Sequence, residues 1–349
     1  MNLASSILFR CDGSPELGLG HVTRCLALAD ELAETYNSCI SFAMRSSPLG
    51  FEMVTEKGYA VFTPLEEPFN YEIWLQDVLE RTHAQVLVLD VRDDLPRAVV
   101  ERIRRCGVLI VSLDDSSERR LAADLAFYPP VPQAKRLDWS GFRGELHVGW
   151  EWVVLRREFA AKSERVEQYP PTILVSMGGS DPAGLTLMAL EALDLLADDF
   201  QTIVVLGKGF QHHLELESFF RRARRKYDVR HDVKGIAGLM ATADLAIASF
   251  GITAYELAAM GVPSIYLCLT TDHAESASAF VHAGIGVSLG VYDQVSKEKI
   301  RDAASGLLNN PLFRKQMSER AFALCDGRGM SRTANKIMER INGNQLVKG

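Results

Sequence analysis

Short, nearly unbroken apolar runs alternate with helix-period segments along this 349-residue chain, and they do so in two series. The first series predicts strands at Ile7–Arg10, Cys39–Ala43, Ala60–Phe62, Val86–Asp90, Val108–Leu113 and Leu125–Phe127, with helices near 21–36, 48–57, 70–82 and 95–106. The second restarts at Thr172–Ser176 and continues through Thr202–Leu206, Asp228–Arg230, Leu245–Ala248, Ser264–Leu267 and Gly286–Leu289, closing in helical sequence from about 296 to 342. A strand that is apolar on both faces must be covered on both faces, which calls for a parallel sheet between helical layers. The predicted fold class is therefore α/β, with two doubly wound Rossmann-like domains in tandem.

Between the two series, residues 128–170 break the rhythm with Tyr128-Pro129-Pro130-Val131-Pro132 and the charged segment 156–165. The expected division is a first domain over 1–150, a linker over 151–170 and a second domain over 171–349. Whether the last helix packs back on the first domain stays open. Doubly wound sheets bind ligands beyond the carboxyl ends of their strands, so an interdomain cleft is the expected site.

Composition narrows the partners. A net charge of -7 argues against nucleic acid, which needs a basic face. The one basic run, Arg221 to Lys226, reads either as the solvated face of a helix carrying Phe219, Phe220 and Tyr227 or as a weak contact with an anionic membrane or lipid-linked partner. The six cysteines (Cys11, Cys25, Cys39, Cys106, Cys268, Cys325) show neither disulfide-framework nor zinc spacing, and no metal or cofactor is expected. Arg10 and Asp12 interrupt the amino terminus before a signal-peptide core can form, and no apolar stretch reaches membrane-span length. A cytoplasmic protein without stable membrane insertion is expected.

The glycine-rich loop after the first strand carries the sharpest chemical signal. Arg10 and Asp12 precede it, Gly18 and Gly20 let the backbone approach a ligand, and His21 opens a helix with Arg24 one turn on. In the second half, Met177-Gly178-Gly179-Ser180-Asp181-Pro182 follows a strand; Asp181 reads as a helix cap, and the glycines free backbone amides. Leu206-Gly207-Lys208-Gly209 follows another strand. The segment Ser249-Phe250-Gly251-Ile252-Thr253 aims a helix amino terminus at the strand ends, where a diphosphate can accept its free amides. Glu256, one turn further on, is suited to accept from ribose hydroxyls.

The order S-x-G-x-T-x-x-E-L-x-x-x-G-x-P from Ser249 to Pro263 resembles the nucleotide-binding half of GT-B enzymes of the MurG type. R-x-D followed by G-x-G-H-x-x-R from Arg10 to Arg24, M-G-G-S-D from Met177, G-x-x-W-x-x-L-R-x-E-F from Gly149 and D-G-x-G from Asp326 are similar to the PseG family. Its members are UDP-2,4-diacetamido-2,4,6-trideoxy-β-L-altropyranose hydrolases of pseudaminic acid biosynthesis. The resemblance implies that His21 activates water near the anomeric carbon, that Asp12 is an acidic catalytic position, and that Gly178, Gly179, Ser180, Thr253 and Glu256 hold the nucleotide. Arg10, Gly18, Gly20, Arg24, Asp90, Asp181, Ser249, Gly251, Asp272 and His273 complete the candidate substrate-binding set. Two places depart from the pattern. Asp272-His273 stands where the family commonly reads N-Q, and Asp90-Val91-Arg92-Asp93-Asp94 replaces a D-x-Y-G that supplies an active-site tyrosine.

The expected activity is metal-independent, inverting hydrolysis of a UDP-activated amino-deoxy sugar. A GT-B glycosyltransferase using a nucleotide-sugar donor, and a non-catalytic nucleotide-sugar-binding protein, are the alternatives.

Overall fold

The computed structural model describes residues 4–13, 18–45, 47–66, 68–161 and 168–348, with side chains as far as residue 343. Its first series runs β1 (Ser6–Cys11), α1 (Gly20–Tyr36), β2 (Cys39–Ala43), α2 (Pro48–Glu56), β3 (Ala60–Phe62), α3 (Tyr71–Thr82), β4 (Val86–Asp90), α4 (Arg97–Arg105), β5 (Leu109–Leu113), β6 (Leu125–Tyr128), α5 (Pro132–Arg136) and β7 (Glu145–Val148). The second runs β8 (Thr172–Ser176), α6 (Leu185–Leu193), β9 (Gln201–Leu206), α7 (His213–Phe220), β10 (Asp228–His231), α8 (Ile236–Ala241), β11 (Leu245–Ser249), α9 (Ile252–Ala259), β12 (Ser264–Cys268), α10 (Thr271–His282), β13 (Gly286–Val291), α11 (Lys297–Leu308), α12 (Pro311–Leu324) and α13 (Gly329–Lys348).

The strands form a seven-stranded sheet in the order β3-β2-β1-β4-β5-β6-β7 and a six-stranded sheet in the order β10-β9-β8-β11-β12-β13. Pairing is parallel in both. Each order reverses once, between β1 and β4 in the first sheet and between β8 and β11 in the second, which opens a crevice at those strand ends.

Strand side chains alternate between layers. Ile7 and Phe9 join Val88 and Val111 in a core with α1 residues Val22, Cys25 and Leu32, whereas Leu8, Leu87, Leu89 and Ile110 pack on the opposite face with Trp74, Leu75, Val99 and Ile103 of α3 and α4. Burying each such side chain contributes about 1.5–3 kcal/mol. In the second sheet Ile173 and Val175 of β8 pack with Leu185, Ala189 and Leu190 of α6 and with Ile300 and Ala304 of α11. Local signals set the helix ends. Asn70 accepts from the amides of Glu72 (2.9 Å) and Ile73 (3.2 Å) to start α3, and Asn37 takes the left-handed conformation (φ 54°) that ends α1.

The chain divides into two compact units, one ending at Arg156 and resuming at Arg328, the other spanning Arg157–Gly327. The first boundary falls inside the segment read as a linker. The helix α13 counts with the first unit, where Met330, Ala334, Ile337 and Ile341 share the core of α1. Two local expectations are corrected. β7 was not anticipated, because Glu145-Leu146-His147-Val148 is an edge strand with two exposed positions and no apolar run. The basic run is not a helical face: α7 ends at Phe220, and Arg225 donates to the carbonyls of Leu196 and Asp198 (2.7 Å for the latter) while stacking 4.1 Å over Phe200.

Candidate active site

In the first unit the crevice at the sheet's reversal point gathers the loop after β1 and the end of β4. Cys11 is paired in register with Asp90, so the end of β1 lies beside that carboxylate. His21 Nδ1 lies 2.7 Å from Asp90 Oδ1. Arg24 holds the same carboxylate in bidentate fashion, Nε to Oδ2 at 2.8 Å and Nη2 to Oδ1 at 2.7 Å. The Cys25 thiol donates to Oδ2 at 3.6 Å. Gly20 begins the helix that carries His21 and Arg24, and Gly18 precedes it with φ 77°, a conformation that favours glycine.

Asp90 is 1% exposed, and its two oxygens are taken by these partners. Burial by itself raises its pKa, but the charge of Arg24 and then of His21 outweighs it and holds the carboxyl well below the usual range. Arg24 is pushed up correspondingly: burial works against its charge, and Asp90 wins. Burial pushes the Cys25 thiol up, so it is a poor nucleophile. Asp90, expected among the substrate-binding residues, lies against the imidazole, with its Oδ1 on His21 Nδ1. With Nδ1 bonded to a carboxylate, Nε2 is the ring nitrogen left to face a reactant; the imidazole is 20% exposed.

Asp12, the acidic position that the resemblance implies, is held at the strand ends. Its Oδ2 accepts from Arg10 Nη2 at 2.6 Å and its Oδ1 from the amide of Arg45 at 2.8 Å, so it ties the end of β1 to the end of β2. Arg10 is fully buried, with further contacts to Tyr71 Oη (2.8 Å) and Asp93 Oδ2 (2.7 Å) and a stacking contact 5.3 Å over Trp74. Asp93 also accepts from Arg119 (3.2 Å) and the hydroxyl of Tyr71. Burial works against the charge of Arg10, yet the hydrogen bond to Asp12 and the surrounding acids hold its pKa above the ordinary arginine value. Sequence reading missed Tyr71, Asp93, Asp114 and Arg119. The available signal was an acidic residue closing or following an apolar strand, as at Asp93 after β4 and Asp114 after β5.

In the second unit, three neighbouring strands, β9, β8 and β11, end in the predicted loops. Gly178 has φ 78°, and a β-carbon built on it lies 3.7 Å from Ser249 Oγ, so the loops after β8 and β11 are adjacent. The amide of Gly209 donates to the Gly179 carbonyl at 2.9 Å, bringing in the loop after β9. Ser180, Ser249, Thr253 and Glu256 are buried. Gly251 caps α9 without a side chain, leaving that helix's first turn uncapped by the residue before it. Asp272 and His273 begin α10, with the His273 ring 6.3 Å from that of Phe250. Asp181 is a capping residue: its oxygens accept from the amides of Leu185 (2.7 Å) and Thr186 (2.9 Å) at the start of α6. Burial pushes its pKa up, against those hydrogen bonds. Among the described residues no grouping of three His, Cys, Asp or Glu side chains is placed to hold a metal ion, and no helix is long and apolar enough to cross a membrane.

No family model matches the chain. It is 25% identical over 329 residues to the spore coat polysaccharide biosynthesis protein SpsG of Bacillus subtilis, covering 92% of this chain and 94% of that one. It is 28% identical over 196 residues to the UDP-2,4-diacetamido-2,4,6-trideoxy-β-L-altropyranose hydrolase of Campylobacter jejuni, covering 54% of this chain and 65% of the hydrolase. It is 29% identical over 269 residues to an uncharacterized protein of Methanocaldococcus jannaschii, spanning 73% of this chain but only 54% of that longer protein. Among solved structures it resembles Acinetobacter baumannii MurG, with a TM-score of 0.70 at 13% identity over 96% of this chain and 99% of that one. A second likeness is to the spinosyn rhamnosyltransferase SpnG complexed with thymidine diphosphate, with a TM-score of 0.61 at 14% identity over 95% of this chain and 100% of that one. With two parallel-sheet units of seven and six strands, the chain has the GT-B fold.

Proposed function

We propose that this protein hydrolyses a UDP-activated amino-deoxy sugar at the anomeric carbon, releasing UDP and the free sugar, as in pseudaminic acid biosynthesis. The observation that carries the reading is the His21–Asp90 pair, an imidazole with its Nδ1 anchored 2.7 Å from a buried carboxylate at the sheet's reversal point. Such a pair is a general base whose tautomer is fixed. Water attacks C1 as His21 Nε2 takes its proton; the C1–O bond breaks, and UDP leaves with the bonding pair. Asp90 stabilises the imidazolium that forms. The amides of the Gly178–Gly179 loop and of the α9 amino terminus stabilise the charge growing on the departing phosphate, about 3–4 kcal/mol per well-aimed donor. Glu256 accepts from the ribose. The similarity to the Campylobacter hydrolase supports the hydrolytic reading, and the fold shared with glycosyltransferases supports a nucleotide-sugar donor.

The test is to incubate the purified protein with a panel of UDP-sugars and no acceptor, and to measure UDP and reducing sugar. Stoichiometric release of both is expected. Turnover that begins only on adding an acceptor assigns a transferase instead, and binding without turnover across the panel assigns a non-catalytic protein.

A further inference from the structure

The carboxylate that anchors His21 is itself held from behind by a chain of charges ending in an unusual residue. Asp114 directly follows β5 and has φ 53°, in the left-handed region that residues other than glycine seldom adopt. Its amide donates to the Phe127 carbonyl at 2.8 Å, which fixes the strained residue between β5 and β6. Its Oδ2 lies 3.6 Å from Arg24 Nη1 and 3.2 Å from Arg92 Nη2. Arg92 is anchored in turn by donating to Ser116 Oγ at 2.9 Å. Strain of this kind persists only where surrounding contacts over-determine it, and it gathers at functional sites.

We infer that Asp114 is a positioning residue for His21, acting through Arg24 and Asp90. An arginine side chain has several free torsions, and turning them carries the rigid, planar guanidinium off Asp90 as one unit. A second carboxylate on Nη1 clamps the guanidinium at its far end, so Nε and Nη2 stay on Asp90 and Asp90 stays on Nδ1 of the imidazole. The order β1-β4-β5 places the three supporting elements side by side. The other charged or titratable groups facing Asp114 are Asp115, next in the chain, and Tyr128 of β6, whose hydroxyl donates to the Asp115 carbonyl at 2.6 Å. Neither pairs with Arg24 among the described contacts. The inference rests on the reading of His21 as the base.

The test follows the imidazole itself in the full-length chain, by NMR titration of its eight histidines, with His21 identified by its loss in His21→Asn. Asp114→Asn and Asp114→Gly remove the carboxylate, and both side chains tolerate the left-handed backbone, so the fold is kept. Deleting this carboxylate frees the Arg24 guanidinium, so Asp90 is held less firmly on Nδ1 and the imidazolium is less favoured. The His21 midpoint is expected to fall by about half a pH unit in both variants, and histidines outside this network to stay in place. A His21 midpoint within about 0.1 pH unit of wild type in the folded variants, alongside a clear fall in Asp90→Asn, overturns the inference. Neither result depends on turnover. A chain that releases no UDP from any sugar nucleotide yet shows the fall keeps Asp114 as the positioning residue and loses the hydrolase reading.

Discussion

His21 Nδ1 and Asp90 Oδ1 are 2.7 Å apart although 69 positions separate the two residues in the chain. The contact exists because β4 lies beside β1 with Asp90 opposite Cys11, at the point where the glycine loop turns into α1. It occupies Nδ1 and leaves Nε2 as the ring nitrogen that the proposed hydrolysis would use.

Replacing the base should separate catalysis from binding. His21→Asn is expected to lower kcat by ~10²–10⁴-fold with little change in UDP-sugar affinity, because general-base assistance is realised only in the transition state. Single-turnover rates beside calorimetric binding check this. Near wild-type kcat would remove His21 from the mechanism.

Asp90→Asn tests the anchor. It leaves Arg24 buried with the Asp114 carboxylate at 3.6 Å in place of its bidentate partner, and breaking such a buried pair costs about 3–5 kcal/mol, measurable by urea denaturation at neutral pH. Because the folded-state pKa of Asp90 lies below its unfolded value, its ionised form contributes stability that is complete above about pH 5 and drains as the pH falls. The variant should therefore lose part of the acid dependence of stability seen in wild type. Equal acid sensitivity in both proteins would contradict the charge assignment.

Gly207→Ala probes the loop contact in the second unit. A β-carbon there would meet the Gly179 carbonyl oxygen at 2.4 Å, Gly179 Cα at 2.6 Å and the Gly178 carbonyl oxygen at 2.7 Å, so the backbone of the Gly178–Gly179 loop must shift. Overpacking of this kind costs about 1–3 kcal/mol, and UDP affinity is expected to fall roughly tenfold. Gly238→Ala, with nothing within 4 Å of the new methyl, is the control and should leave affinity unchanged. Equal affinity in both variants would detach the loop from the nucleotide.

Glu256 is buried on α9, and Glu256→Gln is expected to weaken UDP binding by about 1–3 kcal/mol, the cost of losing a charged hydrogen bond. The loss should be smaller for 2′-deoxy-UDP, which lacks one of the hydroxyls concerned. Equal losses for the two ligands would take Glu256 off the ribose.

The layered fold was legible in the sequence because its signal is local. Fully buried strands such as Val86–Asp90 and Leu245–Ser249 read as unbroken apolar runs, and the helices between them carry their own caps and periodicity. The glycine-rich loops were legible for the same reason: each lies within a few residues of a strand end. The edge strand β7 left no such trace, since half of it faces solvent.

The tertiary structure decided which charges meet. Asp12 is close to His21 in sequence, yet it is held by Arg10 and the Arg45 amide, and the imidazole takes Asp90 from another strand. Asp181 reads both as a ligand and as a cap, and only the fold puts the amides of Leu185 and Thr186 on its oxygens. Chain order determines the elements and the loops they carry. A carboxylate's partner depends instead on strand order and register, and on which buried cation lies near enough to offset its desolvation.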